Sequence, residues 1–357
     1  MDAVILALNC GSSSLKYAVF DPERRVREGK IERIGVPGGH ETHAHAVHEA
    51  LDTLGDVQLQ AVGHRLVHGG PVHHAPSRID ADLVGSLRSV VRFAPLHLPP
   101  ALSAIDAVAA RFPQLPQVAC FDTDFHWNMP DVARRLPIPA ELEAMGVRRY
   151  GFHGLSYESV VQAAPDLGRA VIAHLGNGAS MCAVREGRSI DTTMSFTPSG
   201  GLMMGTRTGD LDPGVLIFLM SERGYGAREI ERLVDRESGL LGVSGATSDM
   251  RALLASQDPQ ARLAVEMFCQ VARKFVGALA AALGGIESLV FTGGIGEHSA
   301  EVRERICAGL EHLGMQLDGA RNARSEPTIS RGPCAVRVVA ADEERIIARH
   351  TSRLVGP

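Results

Sequence analysis

The string NCGSSSLK, residues 9–16, sets one glycine and three serines ahead of Lys16. Glycine lets backbone N–H groups approach phosphate oxygens closely, serine hydroxyls add donors and lysine adds positive charge, so these are the parts of a phosphate-binding turn. Only three lysines occur among the 36 basic residues, Lys16, Lys30 and Lys274, which singles out the one that follows such a turn. An ordinary hairpin tip with a solvated lysine carries the same letters. HLGNGAS (174–180) has a similar character, and FTGGIGEH (291–298) places glycines between an apolar run and helical sequence, where a helix N-terminus can receive an anion. There is no Walker loop, because Gly29-Lys30 is followed by Ile31, and GGIG lacks the full spacing of a dinucleotide fingerprint.

Two strand-like runs, 4–8 and 15–20, flank the first turn and make it a hairpin tip. The pattern recurs at 170–175 and 181–184 around the second turn, with a further turn at Glu186-Gly187. A strand, Gly/Ser tip and strand at the head of each half suggest a duplicated α/β architecture. Helical periodicity covers 101–112, after Pro99 and Pro100, and 261–283; residues 288–292 read as a buried strand entering the GGIG turn, with Glu297, His298 and Ser299 opening a helix. Residues 343–354 read as a helical tail whose composition does not say which half it packs on. No low-complexity linker divides the chain.

The chain has 357 residues, 45% apolar and 22% charged, enough for two sizeable cores and unlike a disordered or disulfide-stapled chain. A net charge of −5 without like-charge blocks gives no footprint for nucleic acid or an anionic membrane, which leaves small molecules as the expected partners. Six scattered cysteines without a CxxC pair suggest reduced, buried thiols. The N-terminus is unlike a secretory signal and the longest apolar stretch, 275–286, is too short to span a bilayer, so a soluble cytoplasmic protein is expected. HETHAHAVH spaces His40, His43, His45 and His48 as a transition-metal site could, but its polar setting reads as a solvated loop or helix face.

Two Gly/Ser hairpins that face each other across a cleft could clamp a polyphosphate while a third turn holds a nucleoside. That is the plan of the actin, Hsp70 and sugar-kinase superfamily. NCGSSSLK, HRLVHGG, APLHLPP, FDTDFH, RRYGFHG, HLGNGAS, GTRTGDLDP and FTGGIGEH, in this order from residue 7 to about 345, together resemble the acetate kinase family of short-chain carboxylate kinases. The resemblance implies an α/β chain with a duplicated two-domain, ribonuclease H-like fold and its active site in the interdomain cleft. It implies a first domain over 1–126, completed by a C-terminal helix at 346–357, and a nucleotide-binding domain over 127–345.

It also implies reversible transfer of the ATP γ-phosphoryl group to acetate, giving acetyl phosphate and ADP, with Mg²⁺ as cofactor, Mn²⁺ able to substitute, and a homodimeric state. Arg65 matches the arginine that holds the substrate carboxylate, Arg207 and His153 match groups that stabilise the transferring phosphoryl, and Asp122 matches an essential aspartate. Val67, Leu96, Phe152 and Pro198, flanked by His97, match the apolar pocket for the acid's methyl group. Ser12, Ser14 and Lys16 fall in the first phosphate loop, and His174, Leu175, Gly176, Asn177 and Gly178 in the second. Asp249, Met250, Arg251, Gly294, Ile295 and Gly296 match nucleoside-binding segments, and Asn9 and Glu343 match metal contacts, with Glu344 next in register.

The chemistry suits those residues. A carboxylic acid with a reference pKa near 4 is already ionised at neutral pH, so the acceptor is its own nucleophile and needs no strong base. The obstacle is the meeting of two anions, which permanently charged, planar arginines relieve. Asp122 then has little to do as a base and is expected to orient an arginine or the metal shell. The first motif favours acetate over butyrate, whose kinases usually carry a Thr in that turn, with propionate a poorer substrate. A nucleotide-driven binding module would share the hairpins but not need Arg65, Arg207 and His153. Asp124 and Gly293 stand where the family usually has Ala, and the segment from Phe20 to Gly63 is short.

Overall fold

A computed structural model describes residues 4–11, 13–21, 23–55, 57–95 and 97–356. The chain forms two compact units. The first comprises the residues up to Trp127, then Phe152–Ser159, then those from Asp342 onward; the second holds Asn128–Gly151 and Val160–Ala341. The re-entry at Phe152–Ser159 is an excursion that no linker-like composition marks.

The sheet of the first unit contains β1 (Val4–Cys10), β2 (Ser14–Asp21), β3 (Arg24–Glu32), β4 (Leu59–Leu66), β5 (Ser77–Arg78) and β6 (Gln117–Phe121) in the order β3-β2-β1-β4-β6-β5. β1, β2 and β3 are joined antiparallel, while β4 and β6 continue parallel to β1. β1 reads VILALNC and is buried along its whole length. Side chains alternate across a strand, so a strand that is apolar at every position must be covered on both faces. Leu6 and Leu8 pack with Ala46, Val47 and Ala50 of the helix His43–Leu54 and with Ala104 and Val108 of the helix Leu98–Arg111. Ile5 and Ala7 pack on the other face with Ile346, Ile347 and Ala348 of the C-terminal helix Glu343–Val355. Gly63 of β4 lies so close to that helix that a Cβ there would come within 2.2 Å of Thr351 Oγ1.

The second unit repeats the plan with β7 (Ala170–Leu175), β8 (Ala179–Arg185), β9 (Arg188–Thr192), β10 (Ser288–Thr292) and β11 (Ala335–Val338), ordered β11-β10-β7-β8-β9. Again a three-stranded antiparallel meander is followed by two strands parallel to its first member. The helix Pro259–Ala282 covers this sheet with Phe268, Ala272, Val276 and Leu279 buried. The two sheets are thus copies of one topology, the ribonuclease H-like arrangement of the actin, Hsp70 and sugar-kinase superfamily, as the paired hairpins implied.

Local chemistry explains where element limits depart from the sequence reading. The helix expected from residue 101 begins at Leu98, because Pro99 and Pro100 occupy its first turn, where a missing N–H costs nothing. The helical stretch expected to open over Glu297–Ser299 begins at Ala300 with Ser299 as its cap, and the glycine turn before it is itself a short helix, Gly293–His298, whose Glu297 Oε1 accepts from the Gly293 N–H. The six cysteines are buried and form no disulfide with one another. Among the described residues no helix is long and apolar enough to cross a membrane.

Candidate active site

In the first unit the expected residues converge where β1, β4 and β6 end. Register places Asn9 of β1 opposite Lys16 of β2, and the parallel partner β4 brings Arg65 beside Asn9. Asp122 follows directly on β6, its N–H held by the Leu66 carbonyl. Arg65 Nε and Nη2 donate to the Asp122 carboxylate at 3.0 Å and 2.6 Å, and Nη1 donates to Asn9 Oδ1 at 3.1 Å. The Asn9 amide donates in turn to Glu343 Oε2 and Glu344 Oε1, both at 2.9 Å. Both glutamates reach Asn9 from the first turn of the C-terminal helix.

Burial by itself would discharge Arg65, but Asp122, Glu343 and Glu344 outweigh it and raise the guanidinium's hold on its proton. Burial drives the Asp122 carboxyl up, and Arg65 with the backbone N–H of His153 pulls the other way. Three of the five guanidinium N–H groups go to Asp122 and Asn9, which leaves an N–H on each terminal nitrogen for another partner. A planar fork fixed in this way is preorganised for an incoming anion.

His153 is held against this cluster under backbone strain. Its φ is +58°, a left-handed conformation uncommon outside glycine. The next residue must be glycine: a Cβ on Gly154 would lie 2.3 Å from the Asp122 carbonyl oxygen, which accepts the Gly154 N–H at 2.9 Å. Phe152 and Val67 are buried in the same unit, and His97 sits at the start of the helix Leu98–Arg111. Lys16 is exposed on β2, without an ion pair to any described residue, and Ser14 closes the tip by accepting the Gly11 N–H at its carbonyl, 2.8 Å away. Ser12 and Leu96 lie outside the described residues.

Glu343 and Glu344 bring carboxylate oxygens, the hard ligands a small divalent cation prefers, to the Asn9 amide nitrogen, while Asn9 Oδ1 accepts from Arg65. Two carboxylates fit Mg²⁺, which keeps most of its remaining ligands as water and phosphate oxygens. The histidines of HETHAHAVH go separate ways: His43 is buried and bonded to the Gly11 carbonyl at 2.9 Å, while His40 pairs with Glu49 at 3.1 Å. Among the described residues no group of three or more His, Cys, Asp or Glu could hold a metal ion.

In the second unit the tip of the β7–β8 hairpin meets the loop that carries Arg207. The Gly205 N–H donates to the Asn177 carbonyl at 3.0 Å, and a Cβ on Gly205 would fall 2.1 Å from Asn177 Oδ1. Gly176 closes the tip on the Gly178 carbonyl at 3.0 Å. Arg207 Nη1 donates to the Pro198 carbonyl at 3.1 Å, so these two residues are neighbours. His174 and Leu175 end β7, with His174 opposite Thr292 in the adjoining β10.

Gly294, Ile295 and Gly296 form the short helix after β10, whose turn is braced at both ends. Glu297 Oε1 accepts from the Gly293 and Ala341 N–H groups and from Thr292 Oγ1. Arg303, wholly buried, donates to the carbonyls of Gly296 and Glu297 and to three oxygens on Asn322 and Ser325. Asp249 caps the helix Met250–Ala255 by accepting from the Arg251 N–H at 2.8 Å, Met250 is buried, and Arg251 is exposed. Sequence reasoning missed the bracing roles of Arg303 and Glu297. For Arg303, position in a helix after the GGIG turn was the only available signal.

The pattern of the Acetokinase family matches residues 4–349. An acetate kinase of Rhodopseudomonas palustris is 45% identical over 99% of both chains. Among solved structures, a propionate kinase from Francisella tularensis superposes with a TM-score of 0.93 at 36% identity, covering 99% of this chain and 100% of that one. The acetate kinase of Porphyromonas gingivalis gives 0.89 at 37% identity, again over 99% and 100%. With a match of this extent and strings in the family's order, the chain belongs to the acetokinase family.

Proposed function

We propose that this protein transfers the γ-phosphoryl group of ATP to acetate, reversibly and by direct in-line displacement, giving acetyl phosphate and ADP. The observation that carries the reading is the Arg65 fork, clamped by Asp122 and Asn9 with two N–H groups to spare. Those groups receive the carboxylate of the acid, whose charge is already in place at neutral pH. Asp122 acts by aiming the guanidinium, since its oxygens are engaged by Arg65 and by the His153 N–H. By resemblance Val67 and Phe152, both buried in the first unit, belong to the pocket for the methyl group, with His97 beside it. His153 and Arg207 donate to the transferring phosphoryl and spread its equatorial charge.

Ser12, Ser14 and Lys16 serve the phosphates from the first unit. His174, Leu175, Gly176, Asn177 and Gly178 do so from the second, where Asp249, Met250, Arg251, Gly294, Ile295 and Gly296 hold the nucleoside. Asn9 and Glu343, with Glu344 beside them, would hold Mg²⁺, which when bound neutralises phosphate charge. We place this chemistry in the cytoplasm, whose reducing environment suits six free thiols.

A second copy of the chain completes the molecule in this reading. The helix Pro213–Arg223, six residues beyond Arg207, buries none of its side chains and exposes Ile217 (66%), Phe218 (58%) and Met220 (55%). An apolar helix of that kind asks for a cover.

The test is a panel of formate, acetate, propionate and butyrate with ATP and Mg²⁺, trapping acyl phosphate as hydroxamate. Acetate is expected to lead and propionate to follow, because one methylene changes binding by about 1–3 kcal/mol. Propionate in the lead would move the chain toward the Francisella tularensis enzyme's named activity. ADP release indifferent to any acid would overturn the kinase reading in favour of a nucleotide-driven binding module.

A further inference from the structure

We infer that His68 is a positioning residue that limits the length of the acid, by holding the phenyl ring of Phe152 in place. The inference rests on the acid-kinase reading above. His68 is the second histidine of the string HRLVHGG, three residues after Arg65, and its side chain is wholly buried. Its Nδ1 accepts the Gly70 N–H at 2.7 Å. An accepting Nδ1 carries no proton, so the ring is the neutral tautomer with its proton on Nε2, and it cannot turn without losing that bond.

The turn that supplies the N–H is itself rigid. Gly70 has φ +68°, and a Cβ on Gly69 would lie 2.1 Å from the His73 carbonyl oxygen. The imidazole is therefore fixed from the backbone side, and it lies against two phenyl rings. Its centroid is 5.3 Å from that of Phe93, tilted by 41°, and 5.6 Å from that of Phe152 in an edge arrangement at 69°.

The main chain around Phe152 is fixed as well. His126 Nε2 donates to the Phe152 carbonyl at 3.0 Å, and the N–H of the next residue, His153, is spent on the Asp122 carboxylate that grips Arg65. Space for an extra methylene at Phe152 must then come from movement of its phenyl ring alone, and the pinned imidazole stands in the way. Close-packed interiors transmit such a constraint, because a neighbour cannot yield without opening a void. His68 touches no reacting atom in this account; it acts through Phe152.

The experiment compares kcat/KM for acetate and propionate in wild type, His68→Asn, His68→Phe and Phe93→Ala, each read as a propionate-to-acetate ratio. The ratio cancels the active fraction of a preparation, so a merely structural loss leaves it unmoved. Asparagine keeps an acceptor near the Nδ1 position but removes the ring, and the ratio should rise about fivefold or more. Phe93→Ala takes away a ring packed against the imidazole and should raise it too, whereas His68→Phe keeps a ring and should stay within about twofold. A ratio unchanged in His68→Asn, or in Phe93→Ala should the first variant fail to fold, overturns the inference. Failure of wild type to phosphorylate any acid would instead overturn the functional reading on which it stands.

Discussion

Arg65 and Asp122 form a buried pair in which removal of either partner strands a charge. Arg65→Ala therefore confounds catalysis with stability, and Arg65→Lys is the sharper probe: it keeps the charge but cannot reach Asp122 and Asn9 while presenting a planar fork. We expect Arg65→Lys to lower kcat/KM for acetate by about 2–4 kcal/mol, the size expected for loss of an aligned charge-stabilising donor, with a smaller fall in Tm than Arg65→Ala. Steady-state kinetics and thermal melts of the two variants check this. Asp124, in place of the family's usual Ala, is a liability of another kind. Its Oδ1 is buried without a hydrogen-bond partner among the described residues. Burial, with Glu158 and Asp122 adding to it against a backbone hydrogen bond at Phe121, pushes its carboxyl up to about 8. Between pH 4 and 8 the folded chain keeps a proton that the unfolded chain releases, so stability falls as pH rises through that window and levels off above it. Asp124→Asn, which cannot ionise, should gain on the order of a few kcal/mol over wild type at pH 8 and nothing at pH 4, as denaturant titrations at the two pH values would show.

At the scale of elements, the C-terminal helix carries the first unit. Ile347 is fully buried against the sheet, and its neighbour Thr351 lies beside Gly63. Ile347→Ala should cost about 2–5 kcal/mol, measured by chemical denaturation, and should lower activity as well because Glu343 and Glu344 ride on the same helix. The sequence showed this helix but not its place: amphipathic periodicity reveals that a face is apolar, and says nothing of which sheet receives it. The two hairpins and β10 were legible because short, nearly continuous apolar runs ended at Gly/Ser turns. β3 was not, since RRVREGKIE is an edge strand with mostly exposed side chains and no alternation to read. The same contrast holds in the site. Motif strings marked Arg65, Asp122, His153 and Asn9, whereas Arg303 and His68 owe their importance to residues 19 and 84 positions away in sequence, Asn322 and Phe152, which only folding brings near.

For the molecule as a whole, the proposed second copy would cover the exposed helix Pro213–Arg223. On that proposal wild type runs as a dimer by light scattering, and charging the helix's apolar surface with the pair Ile217→Glu and Phe218→Glu should yield a monomer. The two substitutions touch no buried position, so a cooperative melt close to that of wild type is also expected. A wild-type chain that already runs as a monomer would remove the second copy from the proposal.

The dependence of the first sheet on residues 342–357 has a bearing on how the chain is made. A ribosome releases β1 to β6 long before the helix Glu343–Val355, and domains tend to fold as they emerge. Ile5, Ala7, Ala18 and Val118 must wait with that flank uncovered until this helix has been made. The nascent N-terminal sheet is thus a natural client for chaperones, and a prematurely terminated chain would lack the glutamates at Asn9 as well as its own lid of packing, leaving it both inactive and marked for degradation.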